Sequence, residues 1–196
     1  MRQKSTERRN AILQAAFNTV CARGYYETRI DDVARAAGVA KGTVYLYFKD
    51  KPDLYVGVTV WLINQARTII KDIARQQCSP SAKLQQVFSS WVEHLLSRPT
   101  AISLIFPEMN YHHCAITPRF RQRVMPELKK LIDDLSALVR DGIQKGEFRK
   151  IDPHLAAISF LGAFHAALLG VSRYLGGKNT PERALDIFFY GIRRSV

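Results

Sequence analysis

Cysteine is scarce in this chain, which has only three among its 196 residues. Cys21, Cys78 and Cys114 are odd in number, widely separated and in no C-x-x-C pair. This spacing argues against a disulfide framework and against a zinc knuckle. We therefore expect a reducing, cytoplasmic environment.

Long apolar runs are also missing. No uncharged apolar stretch reaches the roughly 18 residues that a membrane-spanning helix needs, and the first residues lack the apolar core of a signal peptide. The longest apolar stretch, 155–169, contains His165 and is bounded by Pro153 and Arg173, so it predicts a buried helix and no membrane partner. Strand-like alternation is absent while helical periodicity is nearly continuous, which predicts an all-α protein.

Acidic residues are the minority charge. The chain has 29 Lys and Arg against 17 Asp and Glu, a net charge of +12, and the positive charge is densest in residues 1–51. Such a bias favours phosphate partners through counterion release, although it also suits a membrane surface or simple solubility.

Residues 28–51 have the pattern of two short helices joined by a glycine turn. The first has apolar residues at three- and four-residue steps, which share one helical face: Ile30, Val33, Ala34 and Ala37. Gly38 ends it, because a left-handed backbone costs glycine little. The second begins at Lys41, with Val44 and Phe48 pointing inward. Two such helices predict a helix-turn-helix.

Capping residues predict where the other helices lie. A first helix runs from about Ser5 to Arg23 and ends at Gly24, and Thr28 with Asp31 forms a weak capping box for the second. Six later helices are predicted to begin near Pro52, Ser81, Arg98, Thr117, Asp152 and Thr180. This makes nine helices, three of them in an N-terminal DNA-binding domain, 1–51, and six in a C-terminal ligand-binding and dimerisation domain, 52–196.

The helix-turn-helix carries a specific set of residues, namely Thr28, Ile30, Val33, Ala34, Ala37, Gly38, Val39, Lys41, Gly42, Thr43, Val44, Tyr45, Tyr47, Phe48, Lys51 and Leu54. This set resembles the signature of the TetR family of bacterial transcriptional regulators, and the specific match covers about residues 8–56. The resemblance implies a homodimer that binds a palindromic operator in double-stranded DNA. It also implies a C-terminal domain that binds a small-molecule effector and thereby lowers the affinity for DNA.

The resemblance assigns DNA contacts to Thr28, Arg29, Lys41, Gly42, Thr43, Tyr45, Tyr47 and Lys51. Arg29 and Lys41 are the expected base readers, because long donors reach guanine acceptors in the major groove. Thr28 and Lys51 precede or begin helices, where phosphate is favoured. Two alternatives stay open: Tyr45 belongs mainly to the core, and Lys49 is a solvated charge.

In this family the effector pocket lies among the C-terminal helices, where large amphipathic side chains are the candidates: Trp61, Trp91, His94, Phe106, Met109, Tyr111, Phe160, Phe164, His165 and Tyr174. Each is alternatively an ordinary core residue. An apolar or aromatic ligand is expected, and Arg119, Arg121 and Arg123 suit either an anionic head group such as an acyl thioester or a solvated helix face.

No metal, cofactor or catalytic site is predicted. Glu108, His112, His113 and Cys114 are the only cluster with metal-like residues, and a histidine pair without metal is the preferred interpretation. Neither a Walker phosphate loop nor a pattern typical of nucleophilic catalysis is present, which argues against an enzyme.

The last two helices are apolar on more than one side, which favours a homodimeric helix bundle over burial within the chain's own domain. The residues predicted for this interface are Leu161, Gly162, Leu168, Leu185, Phe188, Phe189 and Ile192. The whole pattern predicts a ligand-responsive repressor. Its alternatives are an activator of the same family and a basic helical module that binds lipid or protein, with incidental affinity for DNA.

Overall fold

The protein is described by a computed structural model that covers residues 2–96, 118–169 and 180–193. Eight helices lie in these residues: α1 (Arg2–Glu27), α2 (Ile30–Ala36), α3 (Lys41–Tyr47), α4 (Lys51–Ala74), α5 (Pro80–Leu96), α6 (Pro118–Gln144), α7 (Pro153–Leu169) and α8 (Thr180–Ile192). The remaining predicted helix, from about 98 to 111, lies outside the described residues. The prediction of an all-α protein is confirmed.

Helix α1 starts earlier than predicted and continues past Gly24. Its backbone departs from helical geometry at that glycine, with φ 81° and ψ 169°, so the predicted stop is a kink followed by one further turn. The apolar stripe of α1 is buried as its spacing predicts, with Ile12, Leu13 and Phe17 fully inaccessible to solvent. This stripe forms the core beneath the helix-turn-helix.

The cap of α2 differs from the prediction. Arg29 is the N-cap residue, and its backbone N–H donates to Asp32 Oδ2 at 3.4 Å. Thr28 is 4% exposed and donates its hydroxyl to the Gly24 carbonyl at 2.7 Å, so the predicted box of Thr28 with Asp31 is wrong. The hydroxyl satisfies a carbonyl near the end of α1 and does not cap the start of α2.

The turn between α2 and α3 has the predicted glycine geometry. Gly38 has φ 65°, and the next residue, Val39, donates its N–H to the Ala34 carbonyl at 3.0 Å. This bond is the one that closes a helix through a left-handed residue. It sets the angle at which α3 leaves α2.

Helix α4 begins with a reciprocal cap. The Asp53 N–H donates to Asp50 Oδ1 at 2.7 Å, and the Lys49 N–H donates to Asp53 Oδ2 at 2.8 Å. Asp50 therefore caps this helix, which begins close to the predicted position at Pro52. Since α4 follows α3 after three residues, this cap fixes how α3 joins α4.

Gly57 lets α4 pack closely against α1 and the residue that follows α3. A Cβ atom at this position would lie 2.7 Å from Phe48 Cε1 and 3.2 Å from Leu13 Cδ2. The absent side chain therefore makes room for the Phe48 ring, which anchors the end of α3.

The described residues divide into two compact units. One contains residues 2–63 and 118–127, and the other contains residues 64–96, 128–169 and 180–193. None of the described helices is long and apolar enough to cross a membrane.

Candidate nucleic-acid interface and effector site

Helix α3 has one buried and one exposed face. Val44 is 0% and Phe48 is 1% exposed, whereas Tyr45 is 47% and Leu46 is 83% exposed. The alternative that places Tyr45 mainly in the core is therefore wrong. Two residues turn a helix by about 200°, so Leu46 lies opposite Val44. The outer face of α3 is open to a partner.

Lys41, at the start of α3, forms an ion pair with Asp31 of α2. The Lys41 Nζ donates to Asp31 Oδ2 at 3.0 Å, and both side chains are about half exposed, at 54% and 53%. The hydrogen bond and the charge of Asp31 raise the pKa of Lys41 above its ordinary value. An exposed pair of this kind is weak, so a nucleic acid can take Lys41 from its carboxylate partner.

The two predicted contacts at the start of α2 have different surroundings. Arg29 is exposed, whereas Thr28 is buried and its hydroxyl already donates to Gly24. Thr28 consequently positions the chain between α1 and α2, and its hydroxyl is not presented to DNA.

Lys51 is held at the first turn of α4. Its Nζ donates to the Tyr26 carbonyl at 3.1 Å and lies 4.5 Å from the centroid of the Tyr25 ring. Burial lowers the pKa of Lys51, against the opposing charge of Glu27. The ammonium group is thus fixed at the start of α4, where its positive charge is available to an anion such as a phosphate.

Tyr47 contacts a residue that the sequence pattern did not indicate. Tyr47 Oη and Ser5 Oγ are 3.2 Å apart and share a hydrogen bond. Because 42 residues separate the two, no local periodicity signals this contact. Ser5 of α1 therefore joins α3 at its outer surface.

Two ion pairs join α6 to the start of α4, and we name them, with their four residues, the α4-start cluster. Arg119 Nη1 donates to Asp50 Oδ2 at 2.9 Å, and Arg123 donates to Asp53. Burial opposes ionisation of Asp50, but the hydrogen bonds from Arg119 and the Asp53 N–H and the charge of Arg119 hold its pKa below the usual value. Both arginines are therefore engaged by carboxylates, and neither the predicted head-group site nor a solvated helix face describes them.

An aromatic cluster occupies the second unit. Trp91 of α5 lies 5.9 Å from Phe160 and 5.3 Å from Phe164, centroid to centroid, and Phe88 contacts the same two rings. Trp91 is 5% exposed, and its Nε1 has no hydrogen-bond partner within the described part of the chain. A buried donor of this kind is costly unless an acceptor reaches it.

The other predicted pocket residues do not join this cluster. Trp61 belongs to the first unit, where its ring lies 6.0 Å from that of Phe17. His94 is exposed and His165 is half-buried. Several predicted residues lie outside the described residues: Phe106, Met109, Tyr111, Tyr174 and the cluster of Glu108, His112, His113 and Cys114. Within 2–96, 118–169 and 180–193, no three His, Cys, Asp or Glu side chains are grouped to hold a metal ion.

The predicted interface residues of α7 and α8 are mostly core. Five of them are at most 8% exposed, namely Leu168, Leu185, Phe188, Phe189 and Ile192. Gly162 is exposed and Leu161 is half-buried. The prediction was wrong for the five because both helices are apolar on more than one side, and these side chains fill the chain's own core. Among the described side chains of α7 and α8, four large apolar ones are exposed: Leu155 (64%), Ile158 (52%), Ile187 (76%) and Tyr190 (92%).

Comparison with known proteins identifies the fold and the family. Residues 12–58 match the family described as "Bacterial regulatory proteins, tetR family", and residues 77–168 match "Tetracyclin repressor-like, C-terminal domain". The chain is 30% identical over 161 residues to the HTH-type transcriptional regulator RutR of Escherichia coli K12, covering 82% of this chain and 74% of that protein. The chain belongs to the TetR family.

One further relative and two solved structures are also similar to this chain. The Fatty acid metabolism regulator protein of Bacillus subtilis is 26% identical over 152 residues, which are 77% of this chain and 76% of that protein. The crystal structure of FadR from Bacillus subtilis in complex with stearoyl-CoA has a TM-score of 0.73 at 23% identity, with coverage of 93% and 98%. A regulatory protein TetR from Rhodobacter sphaeroides reaches 0.76 at 19% identity, with coverage of 93% and 97%.

Membership of the TetR family makes this chain a ligand-responsive, DNA-binding transcriptional regulator and not an enzyme. The first matched region contains α2, α3 and the start of α4. The second contains Phe88, Trp91, Phe160 and Phe164.

Proposed function

We propose that the protein is a repressor that binds a palindromic operator as a homodimer and releases it when a small apolar effector binds. The observation that carries this proposal is the outer face of α3, which is exposed while Val44 and Phe48 hold its inner face in the core. In this proposal DNA contacts lie in residues 1–51, and the effector and dimer contacts lie in 52–196.

The proposed DNA contacts divide into base readers and phosphate contacts. Arg29 and Lys41 reach the edges of bases in the major groove. Thr43, Tyr45 and Tyr47, all on α3, contact the sugar-phosphate backbone of the DNA. Lys51 binds a phosphate through its ammonium group at the start of α4. Gly42 has no side chain and allows the DNA to approach the backbone of α3 closely. Thr28 supports this surface from within, because its hydroxyl is committed to Gly24.

The dimer is proposed to form through the exposed apolar faces of α7 and α8. Leu155, Ile158, Ile187 and Tyr190 would be covered by the same residues of a second copy, as a two-fold interface requires. Gly162 lies among them and permits close approach of a helix. This set replaces the buried residues that the sequence pattern suggested.

The α4-start cluster is the proposed link between effector and operator. Arg119 and Arg123 of α6 hold Asp50 and Asp53, which cap the helix directly after the recognition helix. A displacement of α6 on effector binding would therefore move the start of α4. A coupling of about 1 to 3 kcal/mol gives a 5- to 150-fold change in operator affinity.

A long-chain acyl thioester is the proposed effector class. Its apolar chain suits the aromatic cluster of Phe88, Trp91, Phe160 and Phe164, and its carbonyl is an acceptor for the Trp91 N–H. Two of the comparisons support this class. One relative is named as a fatty acid metabolism regulator, and one similar structure is that of FadR in complex with stearoyl-CoA. An aromatic effector is the second candidate, because the same rings would stack on it.

An operator competition assay tests the DNA-binding part of the proposal. At fixed salt, the protein should prefer DNA from upstream of its own gene, or of neighbouring genes, to random duplex by about 10³-fold or more. Equal affinities would contradict specific operator binding. A transcription reporter then separates the two directions of control, since removal of a repressor raises expression and removal of an activator lowers it.

Calorimetric titration tests the effector class. Stearoyl-CoA should bind and release the operator, whereas free coenzyme A should do neither. Trp91→Phe keeps an aromatic ring but removes the N–H, so it should weaken binding by roughly 5- to 10-fold, the value of one hydrogen bond. A ligand that binds tightly without changing operator affinity would contradict the switch for that ligand.

A further inference from the structure

Leu46 is the most exposed apolar residue of α3 and is not among the predicted DNA contacts. It is 83% exposed and lies opposite the buried Val44, on the centre of the outer face. Its side chain contributes little to the core at that position.

Gly42 lies one turn before Leu46, on the same face. Glycine weakens a helix relative to alanine, so it usually has a structural reason. Here none is found in the described residues, since a Cβ atom at Gly42 would meet nothing within 4 Å and its φ is not positive. The missing side chain leaves open space on the outer face of the helix.

Together these two residues form an apolar notch. Side chains of a helix lean towards its N-terminus, so Leu46 leans over the turn that contains Gly42. The notch has an apolar wall and a floor of bare backbone, and Thr43 and Tyr45 flank it. In the major groove the one apolar group on a base edge is the C5 methyl of thymine.

We propose that the Gly42–Leu46 notch receives the C5 methyl of one thymine in each half of the operator, which makes Leu46 a specificity-determining residue. The inference rests on the proposed operator binding and adds a base that Arg29 and Lys41 do not read. Long donors select guanine, whereas an apolar notch selects thymine and excludes cytosine, whose edge offers a donor.

The test replaces each thymine of the operator by deoxyuridine, which lacks only the methyl group. The operator is first selected by the wild-type protein from a random-sequence duplex pool. Each half-site should contain one thymine at which the replacement matters. Replacing it in one half-site should weaken wild-type binding by about fourfold, the value of one buried methyl group, and replacing it in both should weaken binding by about 15-fold.

Variants of the notch link this loss to Leu46. Leu46→Ala should bind thymine and deoxyuridine operators equally at that position, and Leu46→Met, which keeps an apolar wall, should retain part of the preference. Gly42→Ala should weaken the thymine operator and reduce the preference, because the added methyl fills the notch. Met125→Ala is the control, since it removes a half-exposed apolar side chain of α6 and should retain the full preference.

The inference is overturned if no thymine shows the loss with the wild type, or if Leu46→Ala shows the same loss. Both results leave operator binding itself intact. Failure of the wild-type protein to select any sequence would instead overturn the proposed function, and this inference with it.

Discussion

Gly57→Ala should loosen the packing of α4 against the recognition helix. Two opposing terms decide the outcome. Alanine stabilises a helix by about 1 kcal/mol relative to glycine. Against this, the new Cβ would lie 2.7 Å from the Phe48 ring and 3.2 Å from Leu13. Phe48 is 1% exposed and Leu13 is 0% exposed, so neither side chain has space to withdraw into.

The clash should exceed the gain in helix propensity. Forcing an extra methyl group into a packed core costs about 1 to 3 kcal/mol. We expect a net loss of about 1 kcal/mol in the free energy of unfolding, which lowers the thermal midpoint by about 2 to 4 °C for a chain of this size. Displacement of Phe48 also tilts α3, so operator affinity should fall.

Gly42→Ala is the matched control for stability. It makes the same chemical change in a helix of the same unit, but its Cβ meets nothing within 4 Å. Its thermal midpoint should therefore rise, and the difference between the two variants isolates the clash from the propensity. Circular dichroism melts at equal protein concentration measure both. A Gly57→Ala protein as stable as Gly42→Ala, with wild-type operator affinity, would refute the reasoning.

Three further outcomes are expected. Arg123→Gln removes one ion pair of the α4-start cluster, so the ratio of operator affinities without and with effector should fall towards one in a titration assay. Arg121→Gln, in the same helix, should respond like the wild type. Ile187→Lys places a charge on the proposed dimer face, so light scattering should show a monomer and operator affinity should drop by about 10²-fold or more; a dimer of normal affinity would contradict this face. Lys41→Ala should cost about 1 to 3 kcal/mol of operator-binding free energy and change the base preference, while Tyr47→Ala should weaken binding to all sequences alike. An unchanged preference of the Lys41 variant at every operator position would remove Lys41 from the base readers.

The fold was largely predictable from local signals. Gly38, Asp50 and Pro153 mark their helix boundaries because turns and caps depend on neighbouring residues alone. The inward positions of α3 were equally clear, since Val44 and Phe48 are four residues apart. Local chemistry of this kind needs no knowledge of the tertiary structure.

Contacts between distant segments were not predictable. Arg123 and Asp53 are 70 residues apart, and Ser5 and Tyr47 are 42 apart, so no pattern in the chain joins them. For α7 and α8 the failure has a different cause. Both helices are apolar on more than one side, and periodicity cannot then separate the side that fills the core from the side that meets a partner.

The ion pair of Lys41 with Asp31 affects how DNA binding responds to salt. A cation that neutralises a phosphate normally releases about one condensed counterion and adds about 0.9 to the slope of log K against log salt. Asp31 lies 3.0 Å from Lys41 Nζ, so its negative charge opposes the approach of a phosphate, and salt screens this repulsion. Asp31→Asn should therefore raise the affinity for random duplex and make the slope steeper. A proposed base reader is thus paired with a carboxylate in the free protein, and we expect this pairing to limit attachment to random chromosomal DNA.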